Sequence, residues 1–97
     1  MKKIHPNMIA AIRAALDQQT TVNLLSYIGY QVDRNNKFCL REENTPSVSI
    51  RADGYIKDFG SGWGGDFISV LCEFKNMTFI EAILWTADAL GIEVKYE

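Results

Sequence analysis

Between Tyr55 and Leu71 the chain reads YIKDFGSGWGGDFISVL, and within it Gly60-Ser61-Gly62-Trp63-Gly64-Gly65 matches the spacing G-x-G-x-x-G. With that spacing a backbone can wrap a dinucleotide pyrophosphate at the mouth of a helix. The run even follows a strand-like segment and opens a helix-like one. A dinucleotide fold, however, needs a second, parallel strand beyond the helix, with an acidic residue to hold a ribose. After Gly65 the chain offers two helical segments and then only the tail from Ile92 to Glu97. A Walker loop fares no better. Gly60 and Gly65 have its separation, but Asp66-Phe67 stands where Lys followed by Ser or Thr is required, and an aspartate there repels phosphate. Nucleotide binding is not expected. Asp66 is better read as the N-cap or first-turn residue of the helix it opens.

Glycines at this density permit positive φ and close backbone approach, which a tight knuckle between a strand and a helix needs. Such knuckles often hold a metal ion through a C-x-x-C pair. Here the corresponding positions are Asp58 and Ser61. Elsewhere the chemistry is sparse. No nucleophile–base pair is legible, and no paired-carboxylate metal site. Glu42 and Glu43 are adjacent in a turn, so they cannot face a common metal as an i, i+2 strand pair would. No catalytic activity is expected from these residues alone. Cys39 and Cys72 do not make a disulfide framework and read as reduced thiols of a cytoplasmic protein, one in a strand and one in a helix. Neither a signal peptide nor a membrane-length apolar run is present.

These positions must be held by a small fold. At 97 residues the chain is one domain, and its 47% apolar content argues for a packed globule. A formal net charge of −2 gives no global field for nucleic acid, so any polyanion site must be a local patch. Residues 1–29 read as a helical lead-in. Met8, Ile9, Ile12, Ala15 and Leu16 form one stripe after Pro6 and Asn7, and Thr20 or Thr21 would cap a second helix ending near Gly29. Residues 30–59 change grammar: YQV, KFCL, SVSI and YIKDF are short strand-like runs separated by turn residues. After the knuckle, 60–66, two helices fill 66–91. Phe67, Ile68, Leu71 and Phe74 line one face of the first. Thr78 and Glu81 form a capping box for the second, whose stripe is Phe79, Ile80, Ile83, Leu84, Ala87 and Leu90, stopped by Gly91. There are no internal repeats. The fold class is α+β, a small antiparallel sheet flanked by helices at both ends of the chain.

From Phe38 to Ile92 the sequence resembles the N-terminal CHC2 zinc-ribbon domain of bacterial-type DNA primases. That family reads F-C-P-F-H-x-E-K-T-P-S-F, then a hairpin ending Y-x-C-F-G-C-G-x-G-G-D, then two helices. Here the counterparts are FCLREENTPSVSI, YIKDFGSGWGGDFISVL and NMTFIEAILWTADALGI. Thr45-Pro46-Ser47, Phe59-Gly60, Gly62 and Gly64-Gly65-Asp66 agree in order and in register. The resemblance implies a zinc-ribbon-like sheet and places the zinc-ligand positions at Cys39, Glu42, Asp58 and Ser61. Only the first of these keeps the family's donor. One thiolate with two carboxylates and a hydroxyl is a poor substitute for a tetrahedral nitrogen and sulfur set, so neither zinc nor another cofactor is expected. The implied role is that of a DNA-binding accessory domain in replication, engaging single-stranded template. Polymerisation would belong to a separate catalytic domain of a DNA primase, a nucleotidyltransferase. A replicative helicase or that primase catalytic domain would be its protein partners, with no membrane. A primase-like protein or a small protein of a phage or mobile element would carry it.

Single-strand binding needs cations along a groove with aromatic faces for stacking. Segment 30–59 supplies Arg34, Lys37, Arg41, Arg51 and Lys57 beside Tyr30, Phe38, Tyr55 and Phe59, balanced by Asp33, Glu42, Glu43, Asp53 and Asp58. The expected DNA-binding patch is Arg34, Lys37, Arg51, Tyr55 and Lys57. Asn44 stands where the family has Lys, which removes one phosphate contact from that turn. Trp63, in the glycine loop, is expected to cover the former metal site. Trp85 lies off the apolar stripe of the last helix and is the candidate for a partner surface. The alternative function is a protein–protein interaction or regulatory module that kept the fold and lost DNA binding. Clustered cations would favour the first reading, and an exposed Trp85 surface the second.

Overall fold

The computed structural model describes residues 3–39 and 47–96. The elements run α1 (Pro6–Ala14), α2 (Gln18–Tyr27), β1 (Lys37–Phe38), β2 (Val48–Ile50), β3 (Ile56–Asp58), β4 (Gly64–Gly65), α3 (Phe67–Phe74) and α4 (Phe79–Leu90). The four strands form one antiparallel meander in the order β1-β2-β3-β4. The α+β expectation holds.

Each helix start has a chemical cause. His5 caps α1, its ring Nδ1 accepting from the Asn7 N–H at 3.1 Å, and Pro6 occupies the first helical position, where a missing N–H costs nothing. For α2 the cap is Asp17 rather than Thr20 or Thr21. Its carboxylate accepts from the Thr20 N–H at 2.8 Å, a charge-assisted bond at the positive end of the helix. Thr21 is drawn instead into the core, beneath Gly54. Asp66 caps α3 through the Ser69 N–H, and both bonds of the Thr78–Glu81 capping box form on α4.

The core has a sheet wall and a helical wall. Phe38, Val48, Ile50 and Ile56 point inward from β1, β2 and β3. They meet Leu24 and Leu25 of α2 and Phe67, Ile68, Val70 and Leu71 of α3. Ala82, Ile83 and Ala87 close it from α4. The apolar stripe on α4 is rotated from its sequence reading: Phe79 and Ile80 remain 40% and 48% exposed, and Thr86 takes a core position by donating its hydroxyl to the Ala82 carbonyl at 2.8 Å. That back-bond satisfies the buried hydroxyl, so a polar residue can fill a site the hydrophobic pattern assigned elsewhere.

Two segments depart from the strand reading. Tyr30–Val32 is not a strand. It turns directly into the Asp33–Asn36 loop, where the Asp33 carboxylate accepts from the N–H groups of Asn35 and Lys37, and the Tyr30 ring packs at 5.4 Å from Phe38. Conversely, Gly64–Gly65 is a strand, paired to Ile56 and Lys57. The tail is also tied down. Ile4 and Tyr96 form an antiparallel bridge, with the His5 N–H donating to the Lys95 carbonyl at 3.1 Å.

Candidate nucleic-acid interface and knuckle

Strand alternation sorts the ribbon residues onto two faces. The inward set is apolar except for Asp58. The outward set is read from the pairing register: Lys37 lies opposite Ser49, Ser49 opposite Lys57, and Lys57 opposite Gly64. This is a continuous row across the sheet, with its two lysines separated by one intervening strand, about 10 Å. Beyond it, Arg51 and Tyr55 close the β2–β3 hairpin through an Arg51 N–H to Tyr55 carbonyl bond of 2.8 Å, and the Arg51 guanidinium lies 4.9 Å above the Tyr55 ring. The turn bearing Arg34 reaches the same end of the sheet, where the Ile50 N–H donates to the Asn36 carbonyl at 3.0 Å. Lys37, Arg51, Tyr55 and Lys57 are thus brought to one face, and Arg34 to its margin. Phe59 follows at the end of β3, 72% exposed.

The carboxylates balancing these cations in the sequence are placed differently. Asp33 and Asp53 are turned back onto the N–H groups of their own turns, and Asp58 points inward. Local turn chemistry separates the charges that composition alone averages to neutrality. Arg41, Glu42, Glu43 and Asn44 lie outside the described residues.

The glycine run has a structural explanation. Gly62 sits at φ +82°, the left-handed conformation that closes the knuckle. Gly64 lies under the Tyr55 ring, and a Cβ there would collide with the Tyr55 hydroxyl. The Trp63 ring packs edge-on against Phe74 of α3 at 5.3 Å, while its carbonyl accepts from the Asp58 N–H.

Asp58 is the centre of this knuckle. It is 1% exposed. Its Oδ1 accepts from the Gly60 N–H at 2.8 Å, the Ser47 hydroxyl at 3.1 Å and, at 3.4 Å, the Ser61 N–H; its Oδ2 accepts from the Ser61 hydroxyl at 2.8 Å. Burial alone would raise the carboxyl pKa. The bonds from Ser61, Gly60 and Ser47 together outweigh it, so the group lies below its ordinary value of 3.8. Lys57 donates to the Gly62 carbonyl at 3.1 Å.

Residues 5–97 match the CHC2 zinc finger family, the zinc ribbon of primases, and the chain belongs to that family. Among its relatives are the DNA primase of Mycolicibacterium smegmatis, 36% identical over 56 residues, and that of Clostridium acetobutylicum, 40% identical over 53 residues. The matched stretches cover 57% and 54% of this chain and 9% of each primase.

Zinc is the metal the family implies, and the described positions do not fit it. Both Asp58 oxygens are engaged by the knuckle itself, and the Ser61 hydroxyl donates to one of them while accepting from the Trp63 N–H at 3.2 Å. Among the described residues no group of three or more His, Cys, Asp or Glu side chains converges. Glu42, the remaining ligand position, lies outside them, and Cys39 follows β1 half-buried.

Trp85 is half-buried between Tyr27 and Phe67, with ring centroids 6.0 and 5.8 Å away. The sequence reading missed Tyr27, which is 78% exposed beside it. Its position at the end of a helix gave no signal, since Phe74, likewise the last residue of its helix, packs against the core. No described helix is long and apolar enough to cross a membrane.

Proposed function

We propose that this domain engages single-stranded template DNA across the outer face of its sheet, as an accessory module of DNA replication, and that it does so without bound zinc. The observation that carries the reading is the row Lys37–Ser49–Lys57, extended by Arg51 stacked on Tyr55. Cations two strands apart suit successive backbone phosphates, and the exposed Phe59 ring, beside the half-buried Tyr55 ring under Arg51, offers a face on which any base can stack. Membership in a family whose relatives include DNA primases supports a replicative role. A primase catalytic domain or a helicase is the natural protein partner, the cytoplasm the natural compartment, and nucleotidyl transfer would reside in other residues than these.

Metal independence is supported by the Asp58–Ser61 hydrogen bond, which joins the two knuckle positions that a shared zinc ion would otherwise join. The test is fluorescence anisotropy of a labelled single-stranded oligonucleotide at two salt concentrations, with and without a chelator. Binding that weakens steeply with salt and ignores the chelator is the expected result. No binding at low salt by folded protein would overturn the reading.

A further inference from the structure

We propose that the groove between α2 and α4 receives an arginine or lysine side chain presented by a partner protein. The groove is a cavity of about 460 Å³ lined by Asn23, Leu24 and Tyr27 of α2 and by Trp85, Asp88 and Ala89 of α4. All six residues belong to the C-terminal halves of their helices. Each helix directs the negative end of its peptide dipole towards this site, and neither carries a basic residue in its last turn. Asp88 adds a full negative charge where the dipole already disfavours one, and among the described residues no cation pairs with it. Among the described residues the local field is therefore without a paired counter-charge.

The remaining lining selects the kind of cation. The Tyr27 and Trp85 rings stand 6.0 Å apart at 51° to one another, and aromatic faces attract guanidinium and ammonium groups. Leu24 and Ala89 supply apolar wall for the methylene stem of such a side chain. A nucleic acid is the wrong ligand, since its phosphates would meet Asp88 and two helix C-termini. The inference does not rest on the DNA reading, because the groove is built from helices and shares no residue with the sheet face.

The experiment titrates the isotope-labelled full chain with the peptide acetyl-Ala-Leu-Arg-Leu-Ala-amide, and separately with the same peptide carrying neutral citrulline for arginine, following heteronuclear NMR shifts. The expected result is shifts confined to the six lining residues and the Trp85 indole, with citrulline weakening binding by about tenfold or more. Asp88→Lys and Tyr27→Ala, both at exposed positions, should each abolish the shifts while single-stranded DNA affinity is kept. Equal binding of the two peptides, absence of shifts at millimolar peptide, or shifts on the sheet face would overturn the proposal.

Discussion

The outer face of the sheet and the groove between α2 and α4 are built with opposite charge from the same chain. On the sheet, cations stand on the exposed face while the described carboxylates fold back into turns or point inward. In the groove a carboxylate stands at two helix ends with no ion-pair partner among the described residues. The two regions also differ in what holds them. The helices run 8 to 12 residues and carry caps and a shared core. The strands are 2 or 3 residues long, too short to persist on pairing alone, and the β3–β4 knuckle depends on one buried carboxylate. Surface charge in a segment of balanced composition is therefore a matter of which backbone N–H groups claim the acids.

The largest effect should come from removing that carboxylate. Asp58→Ala leaves the Gly60 N–H and the Ser47 and Ser61 hydroxyls without their acceptor and should cost about 3 kcal/mol in urea unfolding, with Asp58→Asn intermediate. A chelator should shift the midpoint by nothing measurable. A chelator effect as large as the mutation would overturn the contrast between a hydrogen-bonded and a metal-bound ribbon. Next in size is Lys57→Glu. It should weaken single-stranded DNA binding by about tenfold and flatten the salt dependence by about one unit of slope, while loss of the Lys57 bond to the Gly62 carbonyl lowers folding stability by about 1 kcal/mol. Tyr55→Ala should lose about 1 kcal/mol of binding with the slope unchanged, separating stacking from charge.

Acid should act on both regions. Asp58 lies below its ordinary value for the reasons given above, and backbone bonds from Thr20 and Thr78 hold Asp17 and Glu81 below theirs, 3.8 and 4.5. Each binds fewer protons folded than unfolded, so its contribution is present above the ordinary value and is lost as pH falls through the lower, folded value. A stability profile flat from neutrality to about pH 5 and falling below about pH 4 is expected, measured by urea midpoints. The smallest effect is a gain. The Thr21 hydroxyl is buried with no hydrogen-bond partner among the described residues, so Thr21→Val should stabilise by about 1 kcal/mol.

The helical half was the more legible in sequence, because its signals are local. Asp66, the Thr78–Glu81 box and Gly91 do in the structure what their spacing announces. Legibility failed where neighbouring local signals competed or where a contact with another strand decided the outcome. Asp17 displaced the threonines as a cap because its carboxylate reaches the Thr20 N–H, and Tyr30–Val32 gave up strand geometry to a turn organised by Asp33. Gly64–Gly65 has no strand propensity of its own and is a strand only because Ile56 and Lys57 pair with it. The candidate interface was half legible. Alternation put Tyr55 and Lys57 on one face, but the alignment of Lys37 with Lys57 through Ser49 depends on register, which short strands separated by long turns do not encode locally.

The bridge between Ile4 and Tyr96 sets the two extremities of the described fold side by side. A linker of a few residues would join them into a covalent ring without moving either. The chain could then be reopened at an exposed turn such as Ala52–Asp53, giving a circularly permuted domain with the same core. In such a permutant the ribbon would be split between the first and last residues synthesised, and the helices that now come at opposite ends of the described fold would emerge as one continuous unit.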